Sequence, residues 1–303
     1  TLVVSNLFPS FFTLTSHLLA NVNDYRQQSY GKLALIIYIV LTEKDFINQL
    51  FHDDSLLIET TLLKSGRLVT QKERPTMCGV VDVILGFIKH NMKRKFPVEL
   101  YCLAIDVLQR ILSYEKRFRQ RLDYPWRELW LTLLRVLKFV STDALLENPE
   151  IVGLCRKIVN IFNIFITFGD TFLPYLSDYD ALYYEIMHNC NELQEFQKSI
   201  DQLKDTALAS DFSNIRKILE HFTRKIKAWS QEHPGEVTTP AKVTEIISDN
   251  YNTLKLKLWE NLDQFEPFVE NPKEAPFFRQ LIRNLVFEYK SVLTVKRINL
   301  TVN

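Results

Sequence analysis

Glycine is scarce, at seven in 303 residues. Glycine supplies the positive-φ turns of sheet-rich folds and the phosphate-cradling loops of nucleotide enzymes. Its scarcity argues against both. Charge of one sign is lacking as well. The 37 basic and 36 acidic residues leave a net charge of +1, so no global field draws the chain toward nucleic acid or an anionic membrane. Any charge-driven contact is local. The four cysteines, Cys78, Cys102, Cys155 and Cys190, are scattered through apolar stretches. They read as packed small hydrophobes of a reducing compartment, with a disulfide pair as the other reading. Asn299-Leu300-Thr301 is a formal glycosylation triplet with nothing secretory around it.

Long apolar runs are also missing. The longest, Leu33 to Leu41, falls well short of the roughly 20 residues that a membrane span needs. Ile158 to Phe168 is interrupted by Asn160 and Asn163. Both read as buried helices. Residues 1–23 have neither the basic start nor the small-residue cleavage site of a secretory leader. The chain opens on Thr1 rather than methionine and reads as part of a longer protein. The signatures of chemistry are absent in turn: no G-x-S-x-G, no P-loop, no G-x-G-x-x-G, no H-E-x-x-H and no paired C-x-x-C. No catalytic residue, metal or cofactor is expected. His188-Asn189-Cys190 comes nearest to a metal or nucleophile cluster, but Met187 and Cys190 belong to an apolar stripe with Tyr183, Ile186 and Leu193.

What is present is helical period. Trp126, Leu129, Trp130, Leu133, Leu134 and Leu137 recur at the three-four spacing of one helix face, as do Ile151, Leu154, Ile158, Ile161, Phe162 and Phe165. A third stripe runs from Phe212 to Trp229, and Leu281, Ile282, Leu285, Val286 and Tyr289 form another. Asn148-Pro149-Glu150 and Thr239-Pro240 read as cap followed by first helical residue, and Pro97 and Pro125 each precede a long stripe. The pattern predicts helices near 9–22, 29–42, 44–52, 77–92, 97–117, 125–141, 149–168, 179–197, 211–230, 240–263 and 275–293, with no proline inside a stripe. Residues 53–75 are the exception: Leu56 to Thr61 favours an extended form, Lys64 to Pro75 reads as a mobile polar loop, and a little peripheral β-structure fits the segment as well.

Hydrophobic residues make up 47% of the chain, enough for a sizeable core. Helix pairs joined by short loops predict an all-α fold, an irregular armadillo- or HEAT-like α-solenoid of about 10 to 11 helices. No strict internal repeat is visible, and a compact bundle fits equally well. One domain over 1–303 is expected, with a sub-boundary near 169–178.

Between Lys89 and Arg121 lie nine basic and three acidic residues, and between Gly169 and Asn214 nine acidic and two basic. These opposite stretches face each other, a partner, or only water. Lys93, Arg94 and Lys95, and at the far end of the next helix Arg117, Arg119 and Arg121, are the candidate anion-facing residues. Aromatics are not interleaved with them, which disfavours RNA. Trp259, Phe265, Phe268, Phe277 and Phe278 with Arg279 form an aromatic-rich end, suited to core packing or to an interface.

The stretch from Arg67 to Val140, above all GRLVTQKERPTMCGVVDVILGFIKHNMKRKFPVELYCLAIDVLQRILSYEKRFRQRLDYPWRELW, resembles the C-terminal domain family of the armadillo-like helical domain-containing protein 3. The likeness extends over the whole chain. It implies a non-enzymatic cytosolic adaptor, peripheral at the Golgi and trans-Golgi network. The implied partners are a GTP-loaded Arf-like small GTPase and the beta isoform of phosphatidylinositol 4-kinase. By that implication the chain supports kinase recruitment and phosphatidylinositol 4-phosphate synthesis, with no nucleic acid involved. The resemblance carries no residue motif for either contact. The alternative is a structural scaffold half of a kinase-binding protein, without a GTPase site of its own.

Overall fold

Helical period becomes two rows of stacked helices. The computed structural model describes residues 2–92, 96–141 and 143–301, and the chain divides into two compact units, Thr1–Phe265 and Glu266–Asn303. In the first unit, α1 (Leu2–Ala20), α2 (Tyr25–Thr42) and the short α3 (Asp45–Phe51) lead to a hairpin of β1 (Leu57–Lys64) and β2 (Arg67–Pro75). Then come α4 (Thr76–His90), α5 (Val98–Phe118), α6 (Trp126–Val140), the single turn α7 (Asp143–Leu146) and α8 (Pro149–Phe172). After these follow α9 (Leu176–His188), α10 (Cys190–Leu203), α11 (Thr206–Asp211), α12 (Ser213–Glu232) and α13 (Pro240–Ser248). The second unit holds α14 (Ala275–Thr301).

In one row α1, α4, α6, α9 and α12 pack in succession; in the other, α2, α5, α8 and α11 do so. This is an all-α array of armadillo type carrying one small hairpin. A helix inside such a row has a neighbour on each flank, so it is apolar on more than one face. Helix α8 shows the consequence. By length and composition it could cross a membrane, yet most of it is buried, and it packs against α5 and α11. Its fully buried Asn163 donates to the Asp211 carbonyl at 2.9 Å. Phe165 sits at the centre of an aromatic group, with ring centroids 5.4 Å from Trp126, 5.5 Å from Trp130 and 5.4 Å from Phe172.

The caps follow the sequence. Asn148 accepts from the Glu150 amide at 2.9 Å, with Pro149 opening α8. Thr239 accepts from the Lys242 amide ahead of α13. All four cysteines are free thiols, and burial pushes Cys78 and Cys155 up to about 12 and Cys102 to about 11.

Several expectations need correction. The polar half of the expected loop, Arg67–Pro75, is a strand paired antiparallel with β1. Ser65 and Gly66 both take positive φ (50° and 79°), the geometry of a tight two-residue hairpin turn. β1 is held on α1: Thr13 Oγ1 donates to the Thr61 carbonyl at 2.6 Å, and the Leu63 amide donates to Ser16 Oγ at 3.0 Å. β2 is mostly exposed, which is why its residues carry no apolar alternation. Pro9 lies inside α1 rather than at its start. The single helix expected over 179–197 is two, parted at Asn189. The helix expected over 240–263 stops at Ser248, and residues 254–274 are irregular.

Phe165→Ala empties the middle of the α6–α8 aromatic group. It is expected to lower stability by about 3 to 5 kcal/mol, measured as a fall in the urea midpoint at an unchanged slope.

Candidate docking surfaces

The charged candidates are mostly engaged inside the first unit. Lys93, Arg94 and Lys95 lie outside the described residues. Arg117 pairs with Asp45 at the start of α3. Arg121 donates to the Leu173 carbonyl and, at 3.2 Å, to that of Asp170. There it meets the unsatisfied carbonyls and negative dipole end of α8, a favoured place for a cation. Arg119 is the left-handed C-cap of α5 (φ 51°), with its side chain exposed. The three arginines therefore do not form one anion site.

Among the described residues, no ion pair joins the two oppositely charged stretches to each other. Among the described residues, Glu185, Glu192, Asp201 and Asp211 are met by Arg127, Lys138, Arg216 and Arg156. Lys89, Arg110 and Lys116 are met by Glu128, Glu43 and Asp263. Each stretch is balanced by other parts of the fold. The exposed pairs contribute little stability, while the buried members set which helices can lie together.

The seam between α3 and α5 contains one fully buried pair. His52 Nδ1 lies 2.7 Å from the Asn48 carbonyl and so carries a proton toward it; His52 Nε2 faces Glu115 Oε1 at 3.2 Å. Burial, partly offset by the His52 hydrogen bond, raises the Glu115 pKa.

The aromatic candidates separate into anchors and exposed groups. Phe265 lies under the Arg110 guanidinium, 4.6 Å from its ring centroid. Gln109 Nε2 donates to the Leu262 and Gln264 carbonyls, each at 3.2 Å, and Lys116 holds Asp263 at 2.8 Å. Residues 262–265 are thus strapped along α5. Trp259 is half-buried beneath Lys257 Nζ, 3.7 Å from the ring centroid. Asn214 clamps the Lys257 backbone, donating to its carbonyl at 2.9 Å and accepting from its amide at 2.8 Å. These contacts are packing. In the second unit Phe268 is half-buried, and Phe278 is buried edge-on to the more exposed Phe277. Arg279 is exposed and donates to the Ala275 carbonyl at 3.3 Å.

No chemistry gathers around His188-Asn189-Cys190. His188 stacks on Tyr184, and the half-buried Cys190 thiol donates to Asn191 Oδ1 at 3.7 Å. Among the described residues no three His, Cys, Asp or Glu side chains converge on a metal-sized point. The groove between α10 and α12 is open to solvent, and its Arg216 is already paired.

Sequence reasoning missed a different surface. Within this chain α1 and α2 have row neighbours, α4 and α5, on one side only. Their outer side exposes Leu7 and Leu14 on α1, Ile37 and Val40 on α2, and Phe46 on α3. Phe11 lies half-buried on the same helix pair and packs on the buried Tyr38, whose hydroxyl is 2.6 Å from Thr15 Oγ1. Exposed large apolar side chains on paired helices make this a candidate docking surface for another apolar face. The signal was available: Leu33 to Leu41 has no polar sector at all.

Residues 74–291 match the family described as "Armadillo-like helical domain-containing protein 3, C-terminal". The proteins named armadillo-like helical domain-containing protein 3 in Xenopus laevis and Homo sapiens are each 36% identical over 299 residues, covering 93% of this chain and 43% of theirs. That of Danio rerio is 34% identical over 303 residues, covering 94% of this chain and 44% of its own. The chain thus spans less than half the length of the curated relatives it matches. No solved structure matches it.

The buried Glu115 generates a pH prediction. Because its folded pKa is raised, the stability it contributes is complete below the ordinary glutamate value of 4.5 and is lost as pH rises through the raised value. Glu115→Gln keeps the shape of the side chain and removes the titration. The urea midpoint of the variant should gain on that of the parent as pH rises from the ordinary glutamate range toward neutrality. A constant difference across that range would show that Glu115 does not titrate there.

Proposed function

Given that the chain belongs to the armadillo-like helical domain-containing protein 3 family, matching its C-terminal domain, we propose that it is a non-enzymatic adaptor which binds a GTP-loaded Arf-like small GTPase. Through that contact it supports recruitment of phosphatidylinositol 4-kinase beta at the cytoplasmic face of the Golgi and trans-Golgi network. The observation that supports this reading is the uncovered apolar side of α1 and α2, with Leu7, Leu14, Ile37 and Val40 exposed. The switch segments of a small GTPase are ordered by the γ-phosphate and present a different surface after hydrolysis. An apolar helix-pair face that accepts only the ordered form reads the nucleotide state without touching the nucleotide. Recruitment then works by effective concentration: two modest contacts, one to the GTPase and one to the kinase, hold the kinase at the membrane without new chemistry.

A second reading has its own support. The relatives are more than twice as long as this chain, and a helix pair from elsewhere in such a protein would stack on the same α1–α2 side and continue both rows. The chain would then be the scaffold half of a kinase-binding protein, without a GTPase site.

A pull-down with Arf-like GTPases locked in the GTP or GDP state separates the two. The adaptor reading expects one GTP-locked member to be captured roughly tenfold better than its GDP-locked form, about 1.4 kcal/mol. Ile37→Asp with Val40→Asp should abolish capture at an unchanged urea midpoint. Equal capture of both nucleotide states, or none, would overturn it in favour of the scaffold.

A further inference from the structure

We propose that α14 is an interfacial helix that lies on an anionic membrane surface. Ile282, Leu285, Val286 and Tyr289 are 48%, 42%, 48% and 65% exposed, a continuous apolar row. At about 100° per residue, positions 278, 281, 282, 285, 286 and 289 share a sector of roughly 140°. Phe278 and Leu281 are the buried part of that sector and the other four are its open part. Arg279, Arg283 and Lys290 fall within a further arc of about 40° along one border of the row. From Ala275 to Lys290 the only acidic residue is Glu288, and the whole of Ala275–Thr301 carries five basic residues against one acidic.

This pattern differs from the α1–α2 side. There Leu7, Leu14, Ile37 and Val40 share α1 and α2 with the exposed Ser10, His17 and Arg26, the Arg26 guanidinium lies over the Tyr30 ring, and Lys32 is turned to Glu99, a mixed face that suits another protein helix. On α14 an apolar row is bordered by cations on one side. A bilayer interface with anionic headgroups matches both features: the row enters the acyl boundary while the Arg279 and Arg283 guanidinium groups stay among the phosphates. Tyr289 has the apolar ring and polar tip favoured at that depth. The occupant is therefore lipid rather than a protein groove, and the proposal does not depend on the GTPase contact.

The test is co-sedimentation of the 303-residue chain with vesicles of phosphatidylcholine alone or with about one part in three phosphatidylserine. Binding is expected to the mixed vesicles, roughly tenfold or more above neutral ones, and to weaken as salt is raised to about 0.5 M. Leu285→Glu with Val286→Glu should abolish it, and Arg279→Glu with Arg283→Glu should reduce it at least about tenfold. All four positions are exposed, and an unchanged urea midpoint establishes that each variant is folded. Absence of binding to mixed vesicles, or binding that survives Leu285→Glu with Val286→Glu, overturns the proposal. So does loss of GTPase or kinase capture in that variant without vesicle binding by the parent, which would make the face a protein interface. Because the α1–α2 variant leaves α14 intact, vesicle binding and GTPase capture fail independently.

Discussion

Burial on two flanks is the constraint from which the rest of the first unit follows. α5 lies between α2 and α8, and α8 between α5 and α11. Each must therefore be apolar on opposite sides, with its polar residues confined to a narrow line. That is why α8 has the composition of a membrane span while serving as a core helix, and why its one fully buried amide, Asn163, is spent on the Asp211 carbonyl. It is also why Arg110 and Glu115 on α5 have assigned partners. A polar group in a doubly buried helix must be satisfied from the neighbouring helix.

The same constraint sets where the array is open. Interior helices have no free side, so any docking surface of the rows lies at a row end or along the thin polar lines. α1 and α2 have the interior composition without the second neighbour. Their exposed leucines, isoleucine and valine are what an interior flank looks like when it is uncovered. α14 follows a different logic, in which cations border an apolar row and the pattern is that of a helix meeting an interface rather than another helix.

Much of the helical content is legible in the chain because prolines and caps coincide with the period. Asn148-Pro149 and Thr239-Pro240 begin helices where local chemistry says they should. What was not legible has specific causes. β2 is polar on nearly all positions because it is an outer strand, so the positive-φ pair Ser65-Gly66 was its only local mark. The break at Asn189 carries no proline or glycine. Arg117 and Arg121 look like a basic cluster in sequence. Their partners, Asp45 and the carbonyls closing α8, are 72 and about 50 residues away and invisible to any local pattern. The α1–α2 surface escaped for a related reason. An apolar run has the same sequence whether one flank or two are covered.

The strap of residues 262–265 along α5 changes how such an array can come apart. Stacked helical arrays usually fold and unravel from their ends, since each layer touches only its neighbours. Here the amide of Gln109 binds carbonyls more than 150 residues further along the chain, joining the last segment of the unit to a helix near its middle. Closing a loop of that size costs roughly 4 to 5 kcal/mol of chain entropy, so the strap forms only after α5, α8 and the helices between them and residue 262 are in place. Once closed, it makes peeling from the C-terminal side an internal event. The later helices cannot leave one at a time while the strap holds, and the unit is turned from a zipper into a buckle.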